Sequence, residues 1–180
     1  MGLKKYILLF LISLLLSSCA SKKEKTNIID EQDIESQMLV AYKKGKEALE
    51  SGDIMFATKM FNEAELLYPQ SEWAAKSSLM AAYSYYVESY YDDAIFELER
   101  YLRIYSSDKN QDYANYLLAL CHYETIVDEK KDLAPLLKAK KKFEFIIEKY
   151  PNSDYAIDSK FKIDLVMDIL AAKELYIGKY

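Results

Sequence analysis

The chain has 180 residues, of which 51% are hydrophobic and 29% charged, and a formal net charge of −5. That is enough apolar material for one domain of ordinary size, while the acidic balance gives no general attraction toward nucleic acid phosphates or anionic lipid heads. No nucleic acid partner is expected.

Lys4 and Lys5 precede a stretch from Tyr6 to Leu16 that is apolar except for Ser13. As a helix it rises only about 16 Å, against a hydrocarbon core of roughly 30 Å, so it reads as a secretory leader and not as a spanning helix. Residues 1–18 are expected to be a signal peptide. Leu16-Ser17-Ser18-Cys19 then resembles the bacterial lipobox; the competing reading is an ordinary leader with an incidental cysteine near its end. The lipobox implies that Cys19 is lipidated, with a thioether to diacylglycerol and an acylated amine. Several acyl chains hold a protein stably on a bilayer without spanning it. Ala20 stands where an aspartate would resemble an inner-membrane retention signal, so a lipid-anchored place on the periplasmic face of the outer membrane is expected. With Cys19 lipidated, Cys121 is the remaining thiol, and in Leu117-Leu118-Ala119-Leu120-Cys121 it reads as a small apolar core residue.

Residues 19–36 carry the anchor and a polar run without sustained apolar periodicity, which reads as a flexible tether. From about residue 37 to residue 180 the pattern is helical. An offset of 37 brings Gly45 onto Ala82, Ala57 onto Ala94, Phe61 onto Leu98 and Tyr68 onto Tyr105. An offset of 45 then carries Ala94 to Ala139, Leu98 to Phe143 and Tyr105 to Tyr150. The chain is a repeat protein. Gly45, Ala57, Phe61, Ala64 and Pro69 fall at steps of 12, 4, 3 and 5, which resembles the tetratricopeptide (TPR) pattern. Small residues let two antiparallel helices approach, an aromatic fills the gap, and proline ends the second helix. Ala119 and Ala139 stand 20 apart, which places an eight-residue insertion near Val127 to Pro135. The expected fold is an all-α TPR-type solenoid. Its helix pairs lie at about 37–50 and 54–67, 72–88 and 91–105, and 111–127 and 136–149, with a further C-terminal helix from about 154.

In such a stack the first helix of each pair lines the inner face. The inward positions are Tyr42, Lys46 and Leu49, then Leu79, Tyr83 and Tyr86, then Tyr116, Leu120 and Tyr123, each triplet spaced i, i+4, i+7 on one helical face. Tyrosine is concentrated here: ten of the chain's 17 lie between Tyr83 and Tyr123. These rings either pack between neighbouring helices or, as a set, form a groove for an extended peptide, where a large apolar ring and a hydroxyl both find partners. His122 is the single histidine, without companions at metal-ligand spacing, so no metal site is expected. The sequence holds no glycine-rich phosphate loop and no nucleophile elbow, and neither catalysis nor a cofactor beyond the lipid on Cys19 is expected.

Three stretches go beyond generic TPR. Tyr68-Pro69-Gln70-Ser71 leads into Ala75, Ala82-Tyr83, Tyr86, Tyr90 and Ala94-Ile95. Tyr113-Ala114-Asn115-Tyr116-Leu117-Leu118-Ala119-Leu120 is the second, and Tyr150-Pro151-Asn152-Ser153-Asp154-Tyr155-Ala156-Ile157-Asp158, followed by Leu170-Ala171 and Glu174, is the third. Together they resemble the BamD family of TPR lipoproteins in the machinery that inserts β-barrels into the outer membrane. The resemblance implies a non-enzymatic component of that BAM machinery, with BamA, other BAM components and unfolded outer-membrane proteins as partners. A periplasmic TPR scaffold that recruits cell-wall enzymes is the alternative. BamD-like chains continue into further helix pairs, whereas this one stops at Gly178-Lys179-Tyr180 inside the last expected helix, so either a fragment or a shortened form is expected.

Overall fold

A computed structural model of the chain describes residues 31–125 and 133–178. Among these residues there are seven helices and no strand. They are α1 (Glu31–Ser51), α2 (Ile54–Leu67), α3 (Glu72–Val87), α4 (Tyr91–Ile104), α5 (Gln111–Glu124), α6 (Ala134–Lys149) and α7 (Asp154–Ile177). The expected pairs are present, with one shift: α1 begins at Glu31, some six residues inside the segment read as tether. The leader, Cys19 and most of the inserted segment lie outside the described residues.

The pairing follows from the small residues. Ala57, Ala94 and Ala139 are fully buried, as are Phe61, Leu98 and Phe143 four residues on. A Cβ placed on Gly45 would stand 2.9 Å from the Phe61 ring, well inside van der Waals contact, so only glycine lets α1 lie against this ring. Burying a side chain of that size stabilises the pair by about 2–3 kcal/mol. Each helix packs on the next in sequence, and the first helices of successive pairs also touch, α3 with α5 and α5 with α7. The cores are consecutive: one around Met38, Phe61 and Ala81, one around Ala82, Leu98, Tyr101 and Leu118, and one around Ala119, Phe143 and Ile146.

The turns inside the first two pairs are alike. At the end of α1 the Gly52 N–H donates to the Leu49 carbonyl (3.1 Å) and the Asp53 N–H to the Ala48 carbonyl (2.9 Å), with Gly52 at φ +83°. This is a Schellman cap, and Asp53 then starts α2 by accepting from the Phe56 N–H. At the end of α3 the Ser89 N–H donates to Tyr86 (3.0 Å) and the Tyr90 N–H to Tyr85 (2.9 Å). Here the left-handed position is held by Ser89, at φ 64°. Between pairs, Tyr68 and Tyr150 end the second helices and Ser71 and Ser153 close the turns, their N–H groups donating to the tyrosine carbonyls. The second connection does the same with Asp108, whose N–H reaches the Tyr105 carbonyl at 2.9 Å, but α5 starts only at Gln111.

The units are joined by different chemistry. Arg100 of α4 donates two 2.7 Å hydrogen bonds to the Glu65 carboxylate of α2, one to Glu97 and one to the Ser78 hydroxyl of α3, while Tyr105 donates to Glu65. These bonds to Glu65 hold the guanidinium more firmly protonated than usual, against the opposing effect of burial. The later junction is aromatic: Tyr116 of α5 stacks on Tyr155 of α7 with centroids 5.1 Å apart and leans on Phe143 of α6.

Candidate functional site

Along α3, Trp73, Lys76, Leu79, Met80 and Tyr83 recur at helical spacing on one face. Opposite them stand Asp108, Lys109 and Asn110 of the α4–α5 connection and Tyr113 of α5, and together they wall a groove of about 870 Å³. The geometry comes from the two connections at its ends. Ser71 starts α3 by accepting from the Ala74 N–H at 3.1 Å, which fixes the turn from which Trp73 projects. The longer connection after Tyr105 folds over the other side. Its Asp108 carboxylate accepts from the Tyr101 hydroxyl (2.6 Å), the Asn110 backbone N–H (2.8 Å) and the Asn110 side-chain amide (2.9 Å). Burial alone would raise that carboxyl, but the three hydrogen bonds hold it below its ordinary range, so Asp108 stays ionised.

The groove is amphipathic. At one end the Lys76 ammonium lies 4.6 Å from the Trp73 ring centroid and 5.2 Å from that of Tyr42, a cation resting on two aromatic faces. The middle is apolar, through Leu79, Met80 and Tyr83. At the other end Tyr113 is raised above its ordinary pKa by burial, then by the neighbouring phenols of Tyr83 and Tyr155, and remains a neutral donor. An extended peptide with apolar side chains and a carboxylate near the Lys76 end matches this order of groups.

The nine positions expected from helical spacing are not brought into one surface. Leu79 and Tyr83 line the groove, and Tyr86 continues the row 6.5 Å from Tyr83. Tyr116 and Tyr123 stand further along: Tyr116 donates a hydrogen bond to the Asp158 carboxylate, and the Lys162 ammonium lies over the Tyr123 ring at 5.4 Å. Leu120 is packed between the second and third cores. In the first unit Tyr42 is only 8% exposed, held edge-on by Phe61 (5.4 Å) and Trp73 (5.0 Å), and Leu49 packs on the same core. Lys46 is exposed and pairs with Glu50. Of the residues that spacing missed, Lys76 lies about one turn and Trp73 nearly two turns nearer the start of α3 than Leu79, and Met80 directly follows Leu79. Stepping that face back by i−3 finds Lys76; nothing local announces that the Asp108 connection faces it.

Residues 34–180 match the family described as YfiO, outer membrane lipoprotein. The chain belongs to this family. Relatives include outer membrane protein assembly factor BamD of Caulobacter vibrioides, 35% identical over 170 residues that make up 94% of this chain and 55% of that protein. The protein of the same name from Rickettsia prowazekii is 35% identical over 172 residues, 96% of this chain and 66% of its own length. The chain thus spans between about half and two thirds of the length of these family members. Among solved structures, the first TPR domain of Spaghetti bound to an HSP90 peptide superposes with a TM-score of 0.57 at 16% identity, over 76% of this chain and 95% of that one. The Arabidopsis OM64 TPR domain gives 0.55 at 15% identity, over 73% and 97%. These structural likenesses establish the TPR fold of the family member described here.

Proposed function

We propose that this chain is a non-enzymatic assembly factor of the outer-membrane β-barrel (BAM) machinery, and that its groove takes extended segments of unfolded outer-membrane proteins. The observation that carries this reading is the run of Trp73, Lys76, Leu79, Met80 and Tyr83 against Asp108 and Tyr113, in a family whose relatives are named outer membrane protein assembly factor. The aromatic and apolar centre suits the alternating side chains of a β-strand, and the Lys76 end suits a terminal carboxylate. BamA and the other BAM components are the proposed partners. Cys19, outside the described residues, is the proposed lipid anchor, with diacylglycerol on sulfur and an acyl chain on nitrogen, holding the protein at the periplasmic face of the outer membrane. Among the described residues no helix is long and apolar enough to cross a membrane, and no group of His, Cys, Asp and Glu is placed to hold a metal ion.

The test is a detergent pull-down through the lipidated protein. Recovery of BamA together with unfolded barrel proteins supports the reading, and recovery of cell-wall enzymes alone overturns it. Depletion should lower the level of all outer-membrane β-barrels together, before any change in cell shape.

A further inference from the structure

Apart from that groove, α4, α5 and α6 line a smaller open cleft of about 380 Å³, walled by Glu99, His122, Lys138, Lys141, Lys142 and Phe145. We propose that this cleft is a docking site for an acidic segment of a partner protein, a carboxylate entering beside His122 and Lys142 and an aliphatic neighbour lying on the Phe145 ring. It is separate from the groove on α3, and the inference does not rest on what that groove binds.

Charge is the first reason. The chain carries −5 overall, yet α6 holds Lys138, Lys140, Lys141, Lys142 and Lys149 against two glutamates. Lys140 is paired with Glu144, whereas among the described residues Lys138, Lys141, Lys142 and Lys149 form no ion pair. Glu99 on the facing helix offsets only part of this, so the cleft is a local cationic site on an acidic protein. Its field is visible on the single histidine: His122 is depressed below its ordinary pKa by burial, then by Lys138 and against the pull of Glu99, with Lys142 adding to the depression.

Depth is the second reason. His122 is 8% exposed, and its ring makes no hydrogen bond among the described residues. Lys142 is half-buried with its ammonium 3.4 Å from the Asn115 amide oxygen, a long contact that leaves most of its donor capacity unused. Burial lowers its pKa, so an incoming anion would relieve a cost already present. Phe145 stays partly exposed, flanked by the ammoniums of Lys142 (5.8 Å) and Lys149 (5.3 Å). A bilayer would be met by ammoniums standing proud on a flat face. Here Lys138 and Lys141 stand exposed at the rim, but the innermost groups, the Lys142 ammonium and the His122 ring, are recessed between helices, where a side chain reaches them and a lipid surface does not.

The chain offers its own reporter, because His122 is its sole histidine. Untagged full-length protein is titrated at low salt with an acetylated peptide in which aspartates and glutamates flank a central leucine, and the His122 ring resonance is followed by proton NMR across pH. The peptide should shift that resonance and move its titration to higher pH. Lys138→Gln with Lys142→Gln should weaken binding by about tenfold or more, while Lys43→Gln, on α1, should leave it unchanged. A silent His122 resonance overturns the proposal, as does binding indifferent to the α6 lysines. So does lysine-dependent sedimentation with phosphatidylglycerol vesicles in place of peptide binding. Loss of this site with peptide still perturbing Trp73 would leave the groove reading standing, so the two fail separately.

Discussion

The junction between the first and second helix pairs and the junction between the third pair and α7 do the same mechanical work with opposite chemistry. The first is a fork of charge: Arg100 gathers Glu65, Glu97 and Ser78 from three helices, and its side chain is 22% exposed against 10% for that of Glu65. The second is a stack of rings, Tyr116 on Tyr155 and Phe143, closed by one hydrogen bond to Asp158. A fork fails when either partner is removed, because the survivor is left as a poorly solvated charge, whereas a stack survives the loss of any one polar atom. The repeat backbone thus accepts either kind of joint, and α3, which forms one wall of the groove, is tied to the fork through Ser78.

Breaking the fork should give the largest effect. Arg100→Ala should destabilise the chain by about 3 kcal/mol in urea or thermal unfolding, because it strands Glu65. Arg100→Lys should recover only part of this, since an ammonium keeps the charge and loses the two parallel hydrogen bonds. At the aromatic junction Tyr116→Phe should cost about 1 kcal/mol, as it removes a hydroxyl and keeps the stack. An equal loss for Arg100→Ala and Tyr116→Phe would erase the distinction. The connection between the two junctions adds a pH signature. Asp108 lies below its ordinary pKa in the folded chain, so its stabilising contribution is complete above the unfolded value, near pH 4, and is lost as pH falls through the folded value. Asp108→Asn should therefore flatten the acid limb of a stability profile below about pH 4 and leave neutral pH as the region where the variant differs most from the parent. The smallest effect is a gain: Ser89 occupies the left-handed position that Gly52 holds in the first pair, and Ser89→Gly should raise stability by about 0.5–1 kcal/mol.

How far the sequence reached depends on whether a feature is set by one helix or by two units meeting. Gly45 and Phe61, Ala57, Ala94 and Ala139 carry their meaning in spacing, so the solenoid and every expected helix boundary but one were legible to within a few residues. The start of α1 was not, because Glu31 to Ser36 hold a single apolar residue, Ile34, among polar ones, too little to announce the apolar period that begins in earnest at Met38. Tyr42 shows the limit for the site. Its helical face is the one that lines a groove in an isolated unit, but Trp73 of the next unit closes over it. The groove itself depends on a connection two residues longer than its counterparts, which carries Asp108 to Asn110 across from α3. The α6 lysine run was plain in the sequence. That His122 and Phe145 share its cleft depends on how α5 and α6 are rotated about each other, which the inserted segment hides from any fixed repeat offset.

Trp73 is the chain's single tryptophan and sits in the groove wall, so its emission is the most direct test of what the groove does. Titration with a tryptophan-free peptide copied from the carboxy-terminal strand of an outer-membrane β-barrel should shift that emission saturably, and Met80→Ala with Tyr83→Ala should abolish the shift while the helical circular dichroism is unchanged. Binding of the peptide with Trp73 silent, or a shift that persists in the double variant, would contradict capture in this groove.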